Sequence, residues 1–481
     1  MARNRIIYQS QALFVAPNSN QFHLQSGSAT STDSHGAGGV GKGWTGVTGF
    51  GAADAGNSEE YRSLVTPLER IQSANFNFSI NRTDINEFGK LARIDSIAME
   101  SPTVGLDFNY YLTDGGNERK LGFNIPTSKL TGTDNPRPNN TAYWNSGDLA
   151  VSGHSALSGL IDDNEGNNYF IVVSPEGEDV NGSKLVSATV SDFEVIGIGN
   201  GFISDYSIEA AVGSIPTASV TVEGFNIKVD DRISGGVVAA QAGGAPATYA
   251  PFAPAVDIIN GEYNTGDLDT NVESKTNQFT INANDTIDTT GDNGTPSALR
   301  PGDITFSMDN SGNYQGFVDM DGDGEAHLQS MSISVPMSRT VLQRLGSTFG
   351  YARVIDLPLN VDVSLSVVVS ELKANNIFHA LCNVQNHDFT LTLYGCEPTT
   401  GGRSSDKKIQ IQCKNARLEG ESFSNTIGDN QTADLTFSCQ IGGSNDTSSG
   451  VIMDGSYQLF RTLPFFPLGK KKSEAASYSV T

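Results

Sequence analysis

Two stretches of this chain alternate apolar and polar residues in the same phase. Ala74, Phe76, Phe78 and Ile80 occupy every second place, with Asn75, Asn77 and Ser79 between them. Met331, Ile333, Val335 and Met337 repeat the pattern 257 positions later, over Ser332, Ser334 and Pro336. Strict alternation predicts a strand with one buried face and one wet face. Gln72, Ser73, Arg82, Thr83 and Gly89 meet identical residues at that offset: Gln329, Ser330, Arg339, Thr340 and Gly346. A second strand follows in both places. Val104, Leu106, Phe108, Tyr110 and Leu112 match Val361, Val363, Leu365, Val367 and Val369. Between the two strands, Thr83 and Thr340 each precede two apolar places three apart and then a glycine. A capping hydroxyl and a terminal glycine predict a short helical turn there.

Further along, the offset changes to 215. Asn200, Ser207, Gly213, Thr217, Ala218 and Thr221 meet Asn415, Ser422, Gly428, Thr432, Ala433 and Thr436. Taking 215 from 257 leaves 42 additional residues in the first copy, between its second and third shared strands. One structural unit used twice, with a loop insertion in the first, accounts for both offsets.

This frame divides the chain. Residues 1–70 read as an N-terminal strand over 6–16 and a Gly/Ser-rich flexible arm. Residues 71–232 form the first domain, with the insertion at about 113–186. Within it TDGGNE, 113–118, reads as a hairpin turn and YFIVVS, 169–174, as a strand. Residues 233–327 read as linker or outer loop, 328–445 as the second domain and 446–481 as a tail. The insertion and the linker are expected to decorate the outside or to bridge stacked copies.

Composition narrows the class. The chain has 481 residues, 52 of them glycine, and only 17% are charged, which points to a turn-rich, β-dominated protein. A net charge of −24 argues against gripping nucleic acid by its phosphates. The start, MARNRIIYQSQALFV, has no sustained apolar core of a signal peptide, and no stretch reaches bilayer length. A soluble protein with no membrane partner is expected. Cys382, Cys396, Cys413 and Cys439 lie in the second copy without a CxxC pair, so reduced core thiols are expected, with one disulfide as the lesser alternative.

Little in the sequence suggests catalysis. DMDGDG places Asp319, Asp321 and Asp323 before Gly324 as in a calcium loop, but the twelfth position is Ser330 rather than a bidentate carboxylate. Calcium is therefore a minor expectation and no other cofactor is expected. His379 and Cys382 lack a second ligand pair at zinc spacing. No nucleophile, base and oxyanion donor assemble, so no enzyme is expected.

The blocks LERIQSANFNFSINRTDINEFGKLARIDSIAMESPTVGLDFNYYL and LQSMSISVPMSRTVLQRLGSTFGYARVIDLPLNVDVSLSVVV resemble the major tail tube proteins of tailed bacteriophages. The resemblance covers about half the chain and leaves out the arm, the insertion, the linker and the tail. It implies two tandem β-sandwich or split-barrel domains, each with a short helix, whose strands join neighbours into an inner β-barrel. It further implies a virion tail assembled in the host cytoplasm, with stacked rings, other tail proteins as partners and DNA passing without specific binding. Two domains per chain imply a trimer that imitates a hexamer. An acidic wall suits such a channel, because it repels phosphate. The polar-stripe residues Asn75, Asn77, Asp107, Asn109, Ser332, Ser334, Asp362 and Ser364 are the candidates to face the lumen. A tail-tip or baseplate ring is the alternative within this class; a calcium-dependent adhesin is the alternative outside it.

Overall fold

A computed structural model describes residues 11–17, 66–125, 155–161, 166–174, 180, 193–233, 256–257, 262–263, 299–309, 314, 316–318, 327–346, 349–350, 352–369, 372, 375–378, 385–396, 403–425, 430–443, 446 and 448–455. The protein is mainly β, and every strand pairing in these residues is antiparallel.

The first half opens with β1 (Gln11–Pro17), β2 (Thr66–Pro67), β3 (Ile71–Ser79), β4 (Arg82–Ile85), β5 (Asp95–Ala98) and β6 (Thr103–Tyr111). Helices α1 (Gly116–Leu121) and α2 (Ser158–Ile161) follow. Then come β7 (Asn167–Val173), β8 (Phe193–Ala211), β9 (Thr217–Gly224) and β10 (Asn226–Ile233). A small ladder of β11 (Val256–Asp257) and β12 (Glu262–Tyr263) lies between the halves in sequence. The second half holds β13 (Ile304–Met308), β14 (His327–Pro336), β15 (Arg339–Leu342), β16 (Ala352–Ile355) and β17 (Leu359–Val368). It ends with β18 (His387–Cys396), β19 (Arg403–Ser424), β20 (Thr432–Ile441) and β21 (Gly450–Gly455).

The halves repeat each other in register. β3 pairs β6 with Phe76 opposite Leu106, and β14 pairs β17 with Ile333 opposite Val363, both at the 257 offset. Both ladders slip at the same place, between Ile71 and Ser73 and between Leu328 and Ser330. β8 on β9 and β19 on β20 match at the 215 offset, including a slip at Ile203/Asp205 and at Leu418/Gly420. Bulges re-aim a strand, so matching bulges give the two sheets the same local twist.

The long strands β8 and β19 each serve two ladders. β8 pairs β10 up to Gly199 and β7 up to Gly201, and β9 from Phe202 onward. β19 does the same with β18 and β21, then β20. The change comes beside Asn200 (φ 52) and Asn415 (φ 59), in the left-handed region that asparagine tolerates better than most residues. Each bend lets one strand contribute to both layers of a sandwich. Phe108 of β6 meets Tyr169 of β7 at 6.2 Å between ring centres, and Phe389 of β18 meets Phe437 of β20 at 4.6 Å. One continuous apolar core runs through both halves.

Several expectations need correction. The residues after Thr83 and Thr340 form strands, not helical turns: β4 pairs β5 and β15 pairs β16 as hairpins. Gly89 (φ 92) and Gly346 (φ 87) supply the left-handed step between those hairpin arms. TDGGNE is not a hairpin turn; Gly115 (φ 86) leads into α1. Where one short helix per half is expected, the first half has two, α1 and α2. Among the described residues of the second, helix occurs at Ile377–Phe378 and as a 3-10 turn at Pro301–Asp303. The 113–186 segment is not all decoration, because β7 is buried throughout and pairs both β1 and β8. Strands β13 and β21, sequenced as linker and tail, join the second half through β18 and β19. Most of 233–300 lies outside the described residues. Cys413 and Cys439 are buried free thiols, and burial pushes Cys439 up to about 12. Cys382 and the Cys396 side chain lie outside the described residues.

Candidate functional site: two sheet edges and one wet face

Eight strands form one path, β3–β6–β9–β8–β14–β17–β20–β19, that crosses from the first half to the second. The crossing is the β8·β14 seam. There Ile333 lies opposite Ile208, Ser334 opposite Ser207 and Val335 opposite Tyr206. Ile333 and Ile208 are both 1% exposed, so the seam is as dry as a core.

The two ends of the path are different. Among the described residues, β3 pairs only β6, and the Arg417–Ser424 part of β19 pairs only β20. These are the counterparts of β14 and of the later part of β8, the two strands that meet at the seam. Their apolar side chains are correspondingly bare. Phe76 is 43% exposed, Phe78 63% and Phe423 39%. A bare edge with apolar side chains is a template for another strand.

The hairpins repeat the contrast. β15 and β16 lie against the first half. Arg339 Nη2 donates to the Leu160 carbonyl at 2.8 Å, and its guanidinium sits 5.0 Å from the Phe202 ring centre. Arg353 lies 4.3 Å from the Phe225 ring and pairs with Glu223 at 3.1 Å. Burial holds the Arg353 guanidinium below its ordinary range, and Glu223 opposes that shift. The β4–β5 hairpin has no such cover among the described residues, and Ile85, Phe88, Leu91, Ile94 and Ile97 stand exposed. Arg353→Ala should lower the thermal stability of the isolated chain by about 1–2 kcal/mol through lost stacking and packing. Glu223→Gln keeps an acceptor oxygen but leaves the buried Arg353 guanidinium without its carboxylate, so it should cost at least as much; the two melting curves check the order.

The lumen candidates occupy one face. Asn75, Asn77, Asp107, Ser332, Asp362 and Ser364 are exposed, and Asn109 and Ser334 are half-buried. They fall into cross-strand rows. Ser73, Asn109, Ser219, Ser207, Ser334, Asp362, Ser438 and Arg417 follow each other across all eight strands. Asn75, Asp107, Thr221 and Asp205 form part of the next row. Glu209, Ser332, Ser364 and Thr436 form part of another. Partial burial pushes the Asp205 carboxyl up. Short polar side chains with scattered carboxylates make this a smooth, acidic surface with little to grip phosphate.

No pattern in the sequence marked the group under the first half. Glu118 is fully buried and accepts from Tyr110 Oη at 2.9 Å and Tyr206 Oη at 3.2 Å. Burial pushes its carboxyl up, while the two tyrosine hydrogen bonds pull it down. It has the chemistry of an internal strut, tying β6, α1 and β8 together. Asp319, Asp321 and Asp323 lie outside the described residues, and no cluster of potential metal ligands occurs among the described ones.

No family model matches the chain, and no curated relative matches it. Solved structures do match parts of it. The tail of an empty GTA particle with C6 symmetry is 14% identical over 28% of this chain and 90% of that one, with a TM-score of 0.18. The anti-feeding prophage cap, which terminates a tube, is 12% identical over 35% of this chain and 98% of that one, at 0.23. The SPP1 tail tube is 11% identical over 31% of this chain and 81% of that one, at 0.20. At these scores the likenesses bear no functional weight.

Proposed function

We propose that this chain is a structural subunit of a virion tail, that its two halves descend from one duplicated tube domain, and that copies close into rings stacked around a DNA channel. The observation that carries this reading is the asymmetry of the eight-strand path. Its middle holds a dry seam between β8 and β14, and its ends present the counterparts of those same two strands, unpaired. Such ends are heterologous: each fits the other, not itself. Repeating a heterologous contact gives a ring when the rotation closes. Three chains supply six repeated units, and closure removes every bare edge at once. The acidic wet face then lines the channel and lets DNA slide without adhering. The sequence resemblance to tail tube proteins supports the same reading, and catalysis has no place in it.

Electron microscopy of the chain expressed alone tests the proposal. Averaged end-on views should show six similar units around an open centre, from three chains of 51.0 kDa each. Stacked filaments indicate a tube; isolated rings indicate a ring at the tail tip. A monodisperse monomer at high concentration overturns both.

A further inference from the structure

The inner seam gives the outer one residue by residue. Ser334 opposite Ser207 maps onto Asn77 and Ser422 when the 257 and 215 offsets are applied. Ile333 opposite Ile208 maps onto Phe76 and Phe423, and Ser332 opposite Glu209 onto Asn75 and Ser424. Both offsets are fixed independently by the matching ladders and matching bulges on the far side of each strand. Each edge strand already has its faces fixed by the ladder on its other side, so a one-residue slip would set Phe76 against Ser422 or Ser424 and join an apolar face to a wet one; the register is strongly specified.

We propose that β3 of one copy pairs antiparallel with the Gly420–Ser424 segment of a second copy, with Phe76 opposite Phe423 and Asn77 opposite Ser422. The occupant of each bare edge is thus another molecule of this chain, and the proposal rests on the ring reading above. Three features fit. Phe76 and Phe423 are the two exposed apolar groups that the mapping sets face to face, and cross-strand aromatic pairs stabilise antiparallel ladders. Asn77 and Ser422 are both exposed polar residues of the wet face, so that face continues into the neighbour. The hairpin carried along with β3 brings Ser96 to Ser438, where the inner seam has Arg353 on Glu223. Both members of that pair change from charged to hydroxyl together. The two seams are therefore chemically distinct, and at the outer one Ser438 donates to Glu419 of its own chain at 2.5 Å.

Directly opposed residues on neighbouring antiparallel strands bring their Cα atoms to about 4.5–5.5 Å, within disulfide reach. The double variant Asn77→Cys/Ser422→Cys should cross-link under mild oxidation into dimers and trimers on a non-reducing gel, with the ladder ending at the trimer. Mixing the two single variants should give dimers only. The pair Ser73→Cys/Ser422→Cys is displaced by four residues, roughly 13 Å, and should link at least about tenfold less. The unsubstituted chain, with its own cysteines, is the background. Rings that form normally but link through the displaced pair, or through neither, overturn this register while leaving the ring reading intact. Failure of the unsubstituted chain to assemble overturns both.

Discussion

Phe76→Lys should leave the chain folded and monomeric. In the single chain Phe76 stands 43% exposed on the end strand, so replacing it costs little folding stability, within about 0.5 kcal/mol. In the proposed ring Phe76 takes the place that its counterpart Ile333 holds at the inner seam, where it is 1% exposed. The variant loses the burial of one aromatic side chain, about 1.5–3 kcal/mol, and must also place an ammonium against Phe423. Each 1.4 kcal/mol is tenfold in a binding constant, so the concentration needed for assembly should rise by about 100-fold or more. Sedimentation velocity across a dilution series checks this, with a melting curve on the same sample. The matched control is Ile333→Lys, the same change at the same strand position in the second half. That variant should fail to fold, because the seam it disrupts is internal. If Phe76→Lys assembles at the concentrations of the unsubstituted chain, the edge is not a subunit contact.

That pair of variants also marks how far sequence reasoning reaches. Alternation places Phe76 and Ile333 on the apolar face of a strand, and the offset makes them equivalent. Nothing local distinguishes the one that is covered from the one that is bare, since cover comes from a strand more than a hundred residues away or from another molecule. The wet face was legible for the same reason: period-two alternation alone fixes which side Asn75, Asp107, Ser332 and Asp362 take. The hairpins were not. A threonine, two apolar residues three apart and a glycine satisfy a capped turn and a short hairpin arm equally, and pairing with Asp95–Ala98 or Ala352–Ile355 decides between them. β7 was legible as a strand, yet its place in the core was not, because its partners β1 and β8 are distant in sequence. Glu118 is the clearest loss. In a run of Asp, Gly, Asn and Glu it reads as solvated turn, and only the arrival of Tyr110 and Tyr206 makes a buried site of it.

Glu118 should accordingly show a large effect and a pH signature. Glu118→Ala removes the acceptor of two buried hydroxyls and opens a cavity. At about 1–3 kcal/mol for each orphaned group, plus the cavity, the expected loss is about 3–5 kcal/mol. Glu118→Gln keeps an acceptor oxygen and the volume, and should cost far less. The signs for pH follow from burial pushing the carboxyl up, so that the folded chain holds its proton more tightly than the unfolded chain. The stability from this group is then fully present below the ordinary carboxylate range and is lost as pH rises through the folded value. Asp114, pushed up by its own burial and by Glu69, adds a slope of the same sign, with Lys120 opposing it. Denaturant titrations from acid to neutral pH should therefore show the unsubstituted chain losing stability along that window. In Glu118→Gln the slope should shrink to the Asp114 part, and in Glu118→Ala it should shrink likewise from a much lower starting point. An unchanged slope in Glu118→Gln would mean that the tyrosine hydrogen bonds balance desolvation, so that the carboxyl titrates alike in the folded and the unfolded chain; a steeper loss in the variant would mean that they outweigh it.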